Sequence, residues 1–154
     1  MPFIVTALLL ASVIGGAASI AAQSALPGDT LWHFKTGINE RMQSALVPDG
    51  KVQANFDIGI IETRIQESKK ISGDAERVAV VKSVMEKNIA MHADSALYQI
   101  TALQNSGNYI SAADAASRLQ AALAKNTPEV LNLRSMLDTA SRLSEEASEK
   151  AKTL

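Results

Sequence analysis

The chain has 154 residues, 47% apolar and 20% charged, a balance that excludes an extended disordered polymer. Aromatics are only 4%, so Ala, Leu, Ile, Val and Met must build the core, a mixture that favours helices over sheets. The net charge is -1 and cysteine is absent; disulfides and thiolate chemistry are excluded, and no basic stripe with interleaved aromatics supports nucleic-acid binding.

The first charged residue is Asp29, and every Lys and Arg lies at Lys35 or later. Upstream, residues 3–22 read FIVTALLLASVIGGAASIAA, an uncharged run that as a helix would span about 30 Å, the thickness of a bilayer core. Three readings fit. A cleaved signal would have its apolar core at Ile4 to Val13, a break at Gly15-Gly16, and small residues Ser19 and Ala21 before a cut near Ala22. A retained anchor or assembly helix would carry Phe3, Leu8 and Leu9, with Ala11, Gly15 and Ser19 at i, i+4 spacing allowing close helix pairing. The third is a helix buried in the folded protein. No positive segment precedes the run, which disfavours a complete signal. The expected partners of this helix are membrane lipid or copies of itself. In the signal and anchor readings the rest of the protein leaves the cytoplasm. The expected organisation is an apolar segment over 1–24 and a helical domain over 25–154.

Pro27-Gly28 marks a turn, and Asp29 or Thr30 can cap a helix with the stripe Leu31, Phe34, Ile38, Met42 and Ala45. Val47-Pro48-Asp49-Gly50 ends it. The next helix runs from about Lys51 to Ser72, with Val52, Phe56 and Ile60 on one side and Ile58, Ile61 and Ile65 on another; such a wide apolar face predicts a central helix. Gly73 closes it and Asp74 caps the following one, whose stripe is Val78, Val81, Met85, Ile89, Ala93, Ala96, Ile100 and Leu103. Asn105-Ser106-Gly107 stops that helix. Ser111 and Asp114 predict a capping box opening an Ala-rich helix through Ala115, Leu119, Ala122 and Leu123. Thr127-Pro128 predicts the start of a last helix bearing Val130, Leu133, Leu137, Ala140, Leu143 and Ala147. The expected fold is all-α, a bundle of four to six helices including the N-terminal apolar one.

Surface charge should be taken up by i, i+4 pairs: Asp114 with Arg118, Asp138 with Arg142, and Glu146 with Lys150. No catalytic, cofactor-binding or metal-ligating residue is expected. His33 in WHFK and His92 in MHAD lie outside any zinc-ligand spacing, and His92 reads as a packed or rim histidine on its helix. Asp57, Glu62 and Glu67 are spread along one helix and read as its exposed face. No nucleophile elbow or phosphate-binding glycine loop occurs.

The stretch ALPGDTLWHFKTGINER, Ala25 to Arg41, resembles the signature of a bacterial family of unknown function that begins A-L-P-G-D-x-L-Y-x-x-K. Leu26, Pro27, Gly28, Asp29, Leu31 and Lys35 match; Trp32 stands where the family has Tyr, and His33 where Pro is common. The likeness recurs at Ile61 to Glu67 and from Asn108. It implies an exported or membrane-tethered helical domain and supplies no catalytic residue. In physical terms, Pro27 and Gly28 make the turn and Asp29 can bond backbone amides at the start of the next helix. Trp32 would sit at the interface in a membrane setting, but the preferred reading is core, because Leu31 and Phe34 share its turn. The reading that follows is a non-enzymatic extracytoplasmic protein with a structural or interaction role at the cell envelope. The alternatives are a surface filament subunit whose apolar helices form a shared core, and a periplasmic sensor or stress-binding protein.

Overall fold

The computed structural model describes residues 20–125 and 133–153, and no strand occurs among them. Six α-helices follow in order: α1 Thr30–Phe34, α2 Glu40–Leu46, α3 Lys51–Ile71, α4 Ala75–Asn105, α5 Tyr109–Ala124 and α6 Arg134–Lys152, with a π-helical segment Lys35–Asn39 joining α1 to α2. The all-α expectation holds. Residues 20–23 are helical, whereas Phe3, Leu8, Leu9, Ala11, Gly15 and Ser19 of the expected N-terminal helix lie outside the described residues. The chain divides into two compact units, residues 1–46 and 47–154.

In the first unit the Pro27-Gly28 turn forms as its residues dictate. Gly28 takes a φ of 96°, which only glycine adopts at little cost. Asp29 precedes α1, yet its carboxylate turns back to accept the Leu26 N–H at 2.8 Å and makes no cap bond. Trp32 is 2% exposed, as its place beside the turn predicts. The stripe expected to continue from it does not face a core: Leu31, Ile38 and Met42 are exposed and Phe34 is half-buried. For Ile38 and Met42 the reason is the π turn Lys35–Asn39, which Leu31 and Phe34 precede. An i→i+5 turn inserts one residue and rotates everything beyond it, so a 3.6-residue stripe drawn through it loses register. The Thr36 hydroxyl adds to the disruption by donating back to the Trp32 carbonyl at 3.1 Å.

The second unit is four helices in up-down order. Gly50 (φ 82°) precedes α3, and the expected stops at Ser72-Gly73-Asp74 and Ser106-Gly107 form, with Asp74 accepting from the Arg77 N–H at 3.0 Å. Gly107 (φ 80°) ends α4 by sending its N–H to Gln104, while the Asn108 N–H reaches Leu103, which satisfies two orphan carbonyls. α3 and α4 form a hairpin, α5 packs on both, and α6 lies along α5. The core is Ile58, Ile61 and Ile65 of α3, Met85, Ile89, Ala96 and Ile100 of α4, and Leu119 with the alanines of α5. Ala112, Ala115, Ala116 and Ala122 are fully buried, and such small residues let α6 approach closely.

Several local expectations give way to tertiary contacts. Val52 is exposed, while Phe56 and Ile60 are only half-buried, so the second apolar side expected of α3 is not part of the core. The Ser111/Asp114 capping box does not form, because α5 already begins at Tyr109 after Asn108. Asp114 pairs with Lys51 at 2.8 Å and Arg118 with Asn55, both across to α3. Lys125 likewise reaches Glu62 at 3.1 Å. α3 and α5 run parallel, so each contact repeats at the same sequence separation, and the i, i+4 partners are outcompeted. On α6, Arg142 pairs with Glu146 at 2.9 Å, and Lys150 sits 5.7 Å from the centre of the Tyr109 ring. The expected start at Thr127-Pro128, with Val130, lies outside the described residues; α6 begins after buried Leu133.

Candidate functional site

Beside its apolar stripe, α3 carries a polar one: Gln53, Asp57, Arg64 and Glu67, all buried. α4 answers with Asn88, His92, Ser95 and Gln99 at i, i+4, i+7 and i+11, which is one helical face. Because the two helices are antiparallel, the stripes meet along their length. At one end Gln99 accepts the Gly50 N–H at 2.8 Å. In the middle the Asp57 carboxylate accepts three bonds, from His92 Nδ1 at 2.7 Å, Ser95 Oγ at 2.7 Å and Gln53 Nε2 at 3.1 Å. At the far end Arg64, with no exposed surface, donates from Nε to Asn88 at 3.0 Å and from Nη1 to Glu67.

The reading of Asp57 and Glu67 as an exposed face is thereby corrected: Asp57 is 1% exposed and Glu67 3%. Glu62 alone of the three stays on the rim, against Lys125. His92 is packed, but its role is polar. The only trace of this seam in the sequence is two polar stripes at helical spacing on neighbouring helices, a pattern that solvent-facing helices share.

The order of the central contacts decides their chemistry. In a hydrolytic triad the imidazole stands between carboxylate and hydroxyl, so that it can take the hydroxyl proton. Here Asp57 stands between His92 and Ser95, and the Ser95 hydroxyl donates to a carboxylate already bonded to the imidazole. What the arrangement does is specify register. Sliding α3 by one turn on α4 would take His92 and Ser95 from Asp57 and Asn88 from Arg64, leaving intact only the contacts made within α3. A hydrogen bond lost to a buried charged group costs about 1.5–3 kcal/mol, a sizeable share of a small domain's stability. No group of three or more metal-ligating side chains is gathered among the described residues.

The junction residues are brought together in the first unit. Leu26 and Asp29 clasp each other, the Asp29 N–H returning to the Leu26 carbonyl at 2.9 Å. Pro27 and Trp32 are buried, Leu31 is exposed, and the Lys35 amine donates to the Gln23 carbonyl at 3.0 Å. His33 meets the Trp32 ring edge-on at 5.6 Å between centroids. This is a local fold-holding device that gathers no reactive group.

A second feature lies on the outward face of α4. Val80, Val84, Met91 and Tyr98 are all exposed, from 46% at Val84 to 74% at Val80. They share one face, away from the buried stripe of Val81, Met85, Ile89, Ala96 and Ile100. No helix among the described residues is long and apolar enough to cross a membrane. No family model, curated protein or solved structure matches the chain.

Proposed function

We propose that this is a non-enzymatic extracytoplasmic protein with a structural or interaction role at the bacterial cell envelope, using the α3–α4 hairpin as a rigid arm. The observation that carries this reading is the exposed apolar face of α4 backed by the buried polar seam. A line of exposed apolar residues on a helix held in fixed register is suited to receiving another helix. The placement at the envelope rests on the sequence: the uncharged run over 3–22, associating with lipid or with copies of itself, and the ALPGD turn that resembles the signature of exported helical domains.

The test is fractionation of cells making the full chain, followed by protease treatment of spheroplasts. Recovery in the envelope or external fraction, with the helical domain cut by added protease, is the expected result. Recovery as a protease-protected cytoplasmic protein would overturn the placement.

A further inference from the structure

The exposed face of α4 is symmetric about one residue. Val84 and Tyr98 lie seven residues before and after Met91, and Val80 and Ala102 lie eleven before and after it. All five are exposed. With 3.6 residues per turn they fall within about 20° of a single line along the helix. Beside that line, on the same flank, stand Lys87 and Asp94, four residues before and three after Met91. Both are exposed, and neither has an ion-pair partner among the described residues.

We propose that α4 is the seam of an antiparallel homodimer whose two-fold axis passes Met91. A two-fold axis perpendicular to two facing helices reverses the chain direction and keeps each flank on its own side. Met91 then meets the partner's Met91, Val84 meets the partner's Tyr98, and Val80 meets the partner's Ala102. Lys87 comes within one residue's rise, about 1.5 Å along the axis, of the level of the partner's Asp94. The contact occurs twice. A parallel pair would exchange the flanks and set Lys87 beside the partner's uncharged Asn88 and Asp94 beside the partner's uncharged Ser95. Seven-residue spacing is also the repeat that keeps an apolar seam facing its partner along a left-handed pair. An unrelated partner would impose neither the symmetry nor the reversed placement of the two charges.

The inference rests on the interaction reading above and is narrower than it. The seam from Val80 to Ala102 is about 33 Å long, one helix face, so the dimer is expected to be reversible and concentration-dependent.

The chain has no cysteine, so directed cross-linking is clean. Full-length V84C and Y98C chains in mild detergent should form a disulfide-linked pair when mixed and oxidised, and little product when either is oxidised alone. Same-site products from each variant alone, with no mixed V84C–Y98C product when the two are combined, would overturn the antiparallel arrangement. In sedimentation equilibrium, Met91→Glu should give a monomer with unchanged helical circular dichroism. Lys87→Glu should raise the dimer dissociation constant by about tenfold, through two lost contacts and two repulsions, and adding Asp94→Lys should restore it. A chain that stays monomeric up to millimolar concentration, or a dimer indifferent to Met91→Glu, would overturn the proposal. Neither result moves the fractionation experiment, so the failure of one reading is distinguishable from the failure of the other.

Discussion

Asp57 on α3 and His92 on α4 are joined at 2.7 Å between Oδ1 and Nδ1, thirty-five residues apart in sequence and buried on both sides. The carboxylate that holds the imidazole also holds Ser95 and Gln53. Removing it leaves three donors without their acceptor. Asp57→Ala should therefore cost about 3–5 kcal/mol in urea denaturation. Replacing the set together, Asp57→Leu with His92→Leu and Ser95→Ala, should cost less than the single change, because nothing polar remains unpaired. A single variant as stable as the parent would show that the seam carries no energetic weight.

Arg64 makes two different contacts at once, Nε to Asn88 and Nη1 to Glu67. A lysine has one ammonium head and cannot reproduce that fork. Arg64→Lys should lose about 1.5–3 kcal/mol, the worth of a hydrogen bond to a charged group, despite keeping the charge. Thermal melts that place Arg64→Lys level with the parent would mean that charge alone is needed there.

Two glycines should respond in opposite directions. Gly50 takes φ 82° and ψ −137° ahead of α3, a region other residues rarely enter. Gly50→Ala should cost about 1–3 kcal/mol through backbone strain. Gly59 lies inside α3, and a Cβ added there meets nothing within 4 Å. Gly59→Ala should stabilise by about 0.5–1 kcal/mol, since glycine weakens a helix interior. Equal effects of the two substitutions in chemical denaturation would contradict the backbone assignment.

Ile89 stands at the middle of the buried stripe of α4 with no exposed surface. Ile89→Ala should cost about 2–5 kcal/mol, the lost transfer energy plus the cavity left behind. Met91, two residues on and on the opposite side, is exposed, and Met91→Ala should leave the melting temperature of the monomer nearly unchanged. The contrast between these neighbours tests the helix's orientation.

The sequence by itself determined the stops that bound α3 and α4 and which apolar line of α4 is buried. Pro48, Gly73 and Gly107 interrupt the chain locally, and Val81, Met85, Ile89, Ala96 and Ile100 recur at the helical period, so both follow from near neighbours. It also made Pro27-Gly28 a turn and Trp32 a buried residue. Tertiary structure alone decided the rest. A polar stripe such as Gln53, Asp57, Arg64 and Glu67 looks the same whether it faces water or a complementary stripe on another helix, and only the antiparallel packing of α4 makes it interior. Likewise Asp114 has Arg118 within reach on its own helix, yet the parallel approach of α3 brings Lys51 to 2.8 Å. Periodicity tells which residues share a face; the partner that the face receives is settled by packing, because the competing contacts are of similar energy and only geometry separates them.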